Sequence, residues 1–528
     1  MIDLNWDFPY PSQRMPVFAE NVVATSQPLA TQAGIKALQK GGNAVDAAIA
    51  TAIALTVVEP TSKGIGGDAF AIVWDGKNLH GINGSGRSPQ AITAEHFAGQ
   101  KRLPFYGWDV VTVPGAVSTW VALSDRFGKL PFETLFEDAI QYAANGFLVS
   151  PITAQMWAEE APAYTDFPEW GAAFLPGGRP PKPGELFRHP DQAQTLELIA
   201  QTKGESFYRG ELAEKIAAHA KASDAFLTAD DLANHSPEWI HPLAIEYDNL
   251  SLHELPPNTQ GITAQIALGI LSHLPIQEFP PDSADSLHYQ IESMKLAFAD
   301  ANRYIADPEH LDISPQTLLD LNYLSERAKL IDPKRAQIPT FGTPAQGGTV
   351  YLTAADASGM MVSFIQSNFF AFGSGIVVPQ TGISLQNRGV GFTLEPNHPN
   401  QIAGGKRPHH TIIPGFLTHN GDPLMSFGVM GGRMQPQGHL QMVLRIGVYN
   451  QNPQTASDAP RWFLLSSNEV GIEKGFNTKT LEELKNRGHD LSHTIARELY
   501  GGAQIIYKLE NGYCAASDSR KDGQAIGF

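Results

Sequence analysis

The 528-residue chain contains a single cysteine, Cys514. One thiol cannot form a disulfide within the chain, and zinc sites built from four cysteines are excluded as well. A lone cysteine among apolar neighbours is typical of a small packed side chain, so we expect Cys514 to lie in a C-terminal strand. The fold and its chemistry therefore have to be built without a disulfide.

The chain is also poor in charge, and most of the charge that it has is negative. Charged residues make up 17% of the sequence and hydrophobic residues 42%, and 37 basic against 54 acidic residues give a net charge of −17. A nucleic-acid partner needs a basic surface, so we expect none. The low charge and high apolar content are those of a folded chain rather than a disordered one.

Long hydrophobic runs and targeting signals are missing. The longest nearly apolar stretch, residues 47–58, is shorter than the roughly 20 residues needed to cross a bilayer. Residues 1–21 do not show the basic segment followed by an apolar run that marks a signal peptide. We therefore expect no membrane contact and a cytoplasmic location.

Several common catalytic and cofactor motifs are absent. The sequence has no G-x-S-x-G nucleophile elbow, no H-E-x-x-H zinc motif and no phosphate-binding P-loop. Residues 64–69 fit the dinucleotide pattern, but a helix precedes them and a strand follows, which reverses the required order. Adjacent His409 and His410 would point to opposite faces of a strand and are poor joint metal ligands. We expect no cofactor and no metal, and a close backbone approach at the glycines of the 64–69 segment.

Helical patterns dominate the first two thirds of the chain. Residues 28–58 predict two helices, because Gly41-Gly42 stops the first and Asn43 can cap the second, which is rich in alanine and expected to be buried. Residues 115–335 look mostly helical. Strand patterns begin at residue 349 with a hairpin of 349–356 and 360–366 and recur around 374–386, 411–419 and 502–508.

The junction between these two parts is Gly348-Thr349, where an aperiodic, glycine-containing segment, residues 330–348, meets the first strand. If the bond between them is cut, Thr349 becomes a chain terminus that carries both a hydroxyl and an α-amine. The pKa of a terminal amine is about 7.7, so it can accept the hydroxyl proton near neutral pH. A Gly-Thr dipeptide by itself equally fits an ordinary strand start.

Motifs along nearly the whole chain accompany this junction. In order they are VVAT (22–25), GGNAVDAA (41–48), GIGG (64–67), VPG (113–115), GT (348–349), KRP (406–408), MGG (430–432), DAPR (458–461) and ASDSR (516–520). Together they resemble the γ-glutamyltransferase (glutathione hydrolase) family of N-terminal-nucleophile hydrolases.

The resemblance implies a four-layer αββα sandwich that is made as one precursor. The precursor would cut itself between Gly348 and Thr349. Residues 1–348 would become a large chain and residues 349–528 a small chain, and the two would stay together as one globular heterodimer.

The resemblance also implies roles for individual residues. Thr349 would attack an amide carbonyl of a small-molecule substrate and pass the acyl group to water or to an amine acceptor. Gly431 and Gly432 match the glycine pair whose N–H groups form the oxyanion hole. Ser367, with Asn368 beside it, matches the second threonine that supports the nucleophile.

The sequence departs from the family in the residues that hold the substrate. Gly391 stands where the family has the carboxylate that binds the substrate α-amine, and Arg388 has appeared three residues before it. His410 and Thr411 replace the two serines that hold the substrate α-carboxylate, and the segment between 392 and 406 is too short for the family's lid loop. A lost acid and a gained cation resemble the glutaryl-cephalosporin acylase branch, whose acyl group lacks the α-amine.

Arg87 is the remaining candidate for substrate binding. It lies two residues from the position of the family's substrate-binding arginine. A structural ion pair is an equally good explanation for it.

Three hypotheses about activity follow from the sequence. The first is a self-cleaving enzyme that hydrolyses or transfers the acyl group of γ-glutamyl or related amides. The second is a glutaryl- or cephalosporin-type acylase without true γ-glutamyl specificity. The third is a non-catalytic, uncleaved relative that serves as a binding protein.

A denaturing gel of the purified protein separates the catalytic hypotheses from the third. We expect two bands, corresponding to residues 1–348 and 349–528, with Thr349 as the N-terminal residue of the smaller one. Thr349→Ala should give one full-length band and no amidase activity, because both reactions need the hydroxyl. A single band from the wild-type chain after long incubation would favour the binding protein.

Overall fold

The computed structural model describes residues 9–10, 14–339, 350–493 and 497–528. Gly348 and Thr349 lie outside the described residues. Within these ranges the chain forms two seven-stranded antiparallel sheets, with helices on the outer face of each. This is the αββα sandwich that the family resemblance implies.

The strands alternate with helices along much of the chain. The strands are β1 (Val17–Ala19), β2 (Val22–Thr25), β3 (Asp68–Trp74), β4 (Leu79–Asn83), β5 (Phe147–Leu148), β6 (Leu186–Phe187), β7 (Glu238–Ile240), β8 (Leu243–Tyr247), β9 (Leu250–Glu254), β10 (Val350–Ala355), β11 (Met361–Ser367), β12 (Val377–Val378), β13 (Ile383–Ser384), β14 (Gly415–His419), β15 (Asp422–Met430), β16 (Trp462–Leu464), β17 (Glu469–Ile472), β18 (Asp490–Ser492), β19 (Gly502–Lys508), β20 (Tyr513–Ser517) and β21 (Gln524–Gly527). The α-helices are α1 (Pro28–Gln39), α2 (Ala44–Val58), α3 (Ala116–Phe127), α4 (Glu137–Asn145), α5 (Pro151–Glu160), α6 (Pro168–Phe174), α7 (Pro190–Thr202), α8 (Glu205–Arg209), α9 (Glu211–Ala222), α10 (Ala229–Ala233), α11 (Gly261–Leu271), α12 (Ala284–Tyr304), α13 (Pro315–Leu318), α14 (Leu321–Ala328), α15 (Met434–Val443), α16 (Pro453–Asp458) and α17 (Thr478–Asn486).

Both large sheets mix strands from before and after residue 349. One sheet has the order β21-β2-β10-β11-β3-β4-β7, and the other has the order β1-β20-β19-β15-β14-β9-β8. Strand β10 lies between β2 and β11 and is antiparallel to both. The segments on the two sides of the junction therefore share two continuous hydrogen-bonded sheets.

Apolar side chains fill the space between the layers. Phe70 and Ile365 of the first sheet pack with Phe416 and Ile506 of the second in the middle of the sandwich. The outer face of the first sheet is covered mainly by α1 and α2, and that of the second mainly by α11, α12 and α15. Each sheet is buried on both faces, which explains why β3, β10 and β11 are buried along almost their whole length.

The sequence signals around residues 28–58 are confirmed. Helix α1 ends before Gly41, which has a φ of +91°. Asn43 caps α2 in a capping box with Asp46, whose carboxylate accepts from the Asn43 N–H at 2.9 Å. All residues of α2 are buried, because the helix lies between the first sheet and the surrounding helices.

Other expectations hold with one adjustment. Cys514 is buried in β20, as expected. The mostly helical middle of the chain also contains β7, β8 and β9, which sit at the ends of the two sheets. Strand β8 does alternate between more exposed and buried residues, whereas β7 has only three residues and β9 is buried at all but one position, so the alternation does not run through all three strands.

No helix among the described residues is both long and apolar enough to cross a membrane.

Contact between the two sheets can be tested at Gly428 in β15. A Cβ there would lie 2.4 Å from the ring of Tyr351 in β10, whose hydroxyl bonds to Ser363 Oγ at 2.8 Å. Gly428→Ala should therefore destabilise the protein by about 1–3 kcal/mol through overpacking, measured by urea unfolding. Gly171→Ala in α6 is the control, since nothing lies within 4 Å of its Cβ, and it should be neutral or stabilising by up to about 1 kcal/mol. Equal changes in unfolding free energy for the two variants would show that the sheets are not in contact at Gly428.

Candidate active site

The strands that flank the start of β10 bring several polar residues to one edge of the first sheet. Val350, the first residue of β10, pairs with Gln366, and the next residue of β11, Ser367, pairs with Asp68 at the start of β3. On the other side, β2 ends at Thr25, which pairs with Leu352. We call this set of strand ends the β10 edge. Thr349 is bonded to Val350, so a cut before Thr349 would place a new amino terminus in the chain segment that enters this edge.

The glycine loop 64–67 packs against this edge. A Cβ on Gly66 would lie 2.4 Å from the Ser384 carbonyl oxygen, and one on Gly67 would lie 2.7 Å from the Ser367 carbonyl oxygen. The loop leads from α2 into β3. These contacts confirm the close backbone approach expected at these glycines, because any side chain would collide with backbone.

Asp68 follows the loop and is fully buried. Its Oδ1 accepts hydrogen bonds from the N–H groups of Gly115 at 3.0 Å and Gly86 at 3.4 Å. Burial raises the pKa of Asp68 to about 7, although the nearby Arg388 cation opposes the shift. The sequence patterns do not single out this residue; the available signal was an acid at the first position of the otherwise apolar strand β3.

His410 lies beside Asp68 in the interior. Its Nε2 is 3.1 Å from Asp68 Oδ2, and its ring makes an edge contact with Phe70. Burial and the positive charge of Arg388 hold the pKa of His410 well below its usual range, so the imidazole is neutral at physiological pH. Its Nδ1 has no hydrogen-bond partner among the described residues.

Ser367 and Asn368, at the end of β11, are also fully buried. Ser367 Oγ accepts from the Phe369 N–H at 2.7 Å. In the described part of the chain neither Nδ2 nor Oδ1 of the Asn368 amide has a partner. A buried amide with both ends unused is suited to bind a ligand that brings its own donor and acceptor.

Arg388 is a buried cation with spare donors. Its Nη1 donates to Thr411 Oγ1 at 2.9 Å, and its guanidinium lies 4.6 Å from the centre of the Phe369 ring. Its Nε and Nη2 have no partner within the described ranges. Burial lowers the pKa of Arg388 to about 9, which still leaves it charged at neutral pH.

Gly431 and Gly432 lie directly after β15, at the facing end of the second sheet. Both have positive φ, +120° and +58°, which favours glycine. The buried Gln260 amide donates to the carbonyl oxygens of both Gly432 and Thr411, so the glycine pair is tied to the Arg388–Thr411 group. Among the described residues, neither glycine N–H donates a hydrogen bond to another backbone group, which suits an oxyanion hole.

A cleft of about 940 Å³ opens next to this group. Its described lining includes the aromatic rings of Phe105, Tyr106, Phe370 and Phe392. The two contacts of Arg388, Phe369 and Thr411, also line it. The guanidinium therefore lies directly behind the cleft wall.

Arg87 is engaged elsewhere. Its guanidinium pairs with Asp307 and Glu309, each at 3.1 Å, and donates to the Gly405 carbonyl oxygen at 3.0 Å. These contacts match the ion-pair explanation of Arg87. A direct contact with substrate stays a prediction.

One buried group offers residue types that ligate metals, away from the β10 edge. His288 Nδ1 lies 2.8 Å from His489 Nε2, and Glu292 completes the group. Lys295 Nζ donates to Glu292 Oε1 at 2.8 Å, so the carboxylate already has a cationic partner. These contacts show a paired polar cluster, and the expectation that the enzyme needs no metal stays a prediction.

Comparisons with known proteins agree with this geometry. The family model of gamma-glutamyltranspeptidase matches residues 30–528. The glutathione hydrolase-like YwrD proenzyme of Bacillus subtilis is 35% identical, with 96% of this chain and 98% of that protein covered. The oxamate amidohydrolase proenzyme of Klebsiella pneumoniae is 36% identical, with 95% and 97% covered.

Solved structures show the same fold. A crystal structure of cephalosporin acylase from Bacillus halodurans is 45% identical and superposes with a TM-score of 0.94 over 100% of this chain and 99% of that one. The two layers of sheet, the glycine pair and the matched sequence together establish that this chain belongs to the γ-glutamyltranspeptidase family.

Proposed function

We propose that this protein is a self-cleaving amidohydrolase whose preferred acyl group carries a carboxylate but no α-ammonium. The observation that carries this proposal is the buried, partly unpartnered Arg388 beside Thr411, in a chain where Gly391 replaces the family's acid. The relatives named above as oxamate amidohydrolase and cephalosporin acylase support an amide substrate.

Maturation would follow the chemistry of the junction. The Thr349 hydroxyl adds to the Gly348 carbonyl, the acyl group moves from nitrogen to oxygen, and water hydrolyses the resulting ester. This frees the Thr349 amine and leaves a carboxylate on Gly348. The proenzyme names of the relatives support such a step.

The two chains would remain a heterodimer after the cut. Strand β10 of the small chain is hydrogen-bonded to β2 of the large chain on one side, and β11 is bonded to β3. Separation would break these ladders and expose the apolar interior shared by both sheets. The heterodimer therefore needs no further linkage.

Turnover would use the same hydroxyl on an external amide. Thr349 attacks the substrate carbonyl while its amine takes the proton, and the oxygen that becomes negative is bound by the N–H groups of Gly431 and Gly432. The amine part of the substrate then leaves, carrying the proton that the Thr349 amine had taken. Water or a second amine finally releases the acyl group from Thr349.

The acyl carboxylate would bind where Thr411 and Arg388 meet the cleft. A charge-assisted hydrogen bond from this pair favours an anion. A substrate ammonium at the same place would meet the Arg388 cation and find no acid at residue 391. True γ-glutamyl compounds are therefore poorer substrates in this proposal.

The cytoplasmic location stays a prediction.

A pair of anilides tests the acyl preference directly. The cleaved enzyme should show a kcat/KM for glutaryl p-nitroanilide at least about tenfold above that for γ-glutamyl p-nitroanilide, because only the latter brings an ammonium toward Arg388. Comparable kcat/KM values for the two anilides would not support the proposal, and a strong preference for the γ-glutamyl anilide would contradict it.

Arg388 itself can be tested by substitution. Arg388→Met should lower kcat/KM for the glutaryl anilide by about 10- to 100-fold, the value of a charged hydrogen bond, and should spare a butyryl anilide that has no carboxylate. Arg388→Lys should recover part of the loss, because it keeps the charge without the guanidinium fork. An equal loss on both anilides would mean that Arg388 only maintains the fold.

A further inference from the structure

The cleft beside Arg388 is larger than the proposed acyl group needs. Phe369 and Thr411 line its buried floor, with exposed fractions of only 2% and 4%. Lys101 and Arg102 line its mouth, where both are exposed to solvent. A volume of about 940 Å³ is typical of sites that hold a drug-sized ligand. A short glutaryl chain anchored at the floor would therefore fill only part of the cleft.

Aromatic rings form much of the cleft wall. Phe105 contacts Tyr106 and Phe370 edge to face, with ring centres 5.2 and 5.0 Å apart. All three residues are half-buried, so each ring keeps part of its surface open. Such rings bind flat aromatic ligands through stacked or edge-to-face contacts.

The buried Asn387 amide holds this wall in place. Its Nδ2 donates to the Phe105 carbonyl oxygen at 3.0 Å, and its Oδ1 accepts from the Phe370 N–H at 3.3 Å. Further along the same loop, the Gly107 N–H donates to the Ser374 carbonyl oxygen at 2.8 Å. The rings are thus positioned before a ligand arrives, which lowers the cost of ordering them on binding.

The mouth of the cleft is positive, although the whole chain has a net charge of −17. Within the described residues, neither Lys101 nor Arg102 forms an ion pair. Glu395 is the only acidic residue in the described lining of the cleft. Two exposed cations face one carboxylate here, and the buried Arg388 cation lies behind the floor. This local excess of positive charge favours an anionic ligand.

We propose that the cleft binds the amine part of the amide substrate, and that this part is an aromatic amine with an acidic group. The proposal rests on the amidohydrolase proposed above, in which Thr411 and Arg388 bind the acyl carboxylate. From that anchor at the floor, the rest of the substrate extends past the rings toward Lys101 and Arg102. The substrate class is therefore an amide with one acid on its acyl group and a second acid on its aromatic amine.

Glutaryl p-nitroanilide and glutaryl 3-carboxy-4-nitroanilide test the second acid, because they differ by one carboxylate. The ratio of their kcat/KM values is measured in each variant, so that the effect of the carboxylate on anilide reactivity cancels. Lys101→Gln/Arg102→Gln should lower the preference for the carboxylated anilide by about 3- to 10-fold, the size expected for two exposed charge pairs. The loss should appear mainly in KM and shrink at high salt. Lys101→Glu/Arg102→Glu should lower the ratio further.

A matched control removes two cations elsewhere. Lys77 and Lys479 are exposed, and neither lines the cleft. Lys77→Gln/Lys479→Gln should keep the wild-type ratio, because only the cations at the mouth approach the second carboxylate.

Binding of the amine products gives a readout that needs no turnover. By calorimetry, 5-amino-2-nitrobenzoate should bind the wild type at least about threefold more tightly than p-nitroaniline, and Lys101→Gln/Arg102→Gln should remove this difference. Phe105→Leu should weaken the binding of both products by about 3- to 10-fold, because it removes an aromatic contact.

Two results would overturn the proposal: an unchanged kcat/KM ratio in Lys101→Gln/Arg102→Gln, or product binding that is insensitive to Phe105→Leu. A wild type that hydrolyses neither glutaryl anilide would instead refute the proposed function. The calorimetry would then still decide whether the cleft binds an aromatic acid.

Discussion

The position of β10 constrains everything else in this molecule. It is bonded on one side to β2 and on the other to β11, so it is an interior strand of a sheet. In the proposed maturation the chain folds first and is cut afterwards, when the segments on both sides of the cut are already paired in the ladders. The cut then adds a new amine without changing the pairing. In the proposed maturation, one precursor would therefore yield two chains that share both seven-stranded sheets.

The pairing of β10 also brings the polar residues of the candidate site together at one edge of the sheet. Antiparallel neighbours bring the end of β2, the end of β11 and the start of β3 to the point where β10 begins. The residues there are buried, and several have polar atoms without partners in the described structure, including those of Asn368 and Arg388. Buried polar atoms are normally satisfied. Such atoms also occur elsewhere in the described chain. In the proposed function, those at the β10 edge would be satisfied by a substrate and by the amino terminus that the cleavage creates.

Much of the fold could be predicted from the sequence, and the site only in part. The glycines at 41–42 and the cap at Asn43 fixed the break between α1 and α2, because both act through local backbone geometry. Arg388 and Gly391 could be singled out because they depart from a family pattern. Asp68 and Gln260 could not, since their importance comes from burial and from neighbours distant in the chain. For Arg87 the sequence left two explanations, and only its contacts with Asp307 and Glu309 show the ion pair.

The central claim is that the small chain's terminal threonine carries the acyl group during turnover. Intact-mass spectrometry of the two chains, after rapid acid quenching of the enzyme with a glutaryl anilide, measures this directly. The account predicts one glutaryl group on the small chain, mapped to Thr349, and none on the large chain. An unmodified small chain under conditions of a product burst, or an acyl group mapped to another residue, would contradict it.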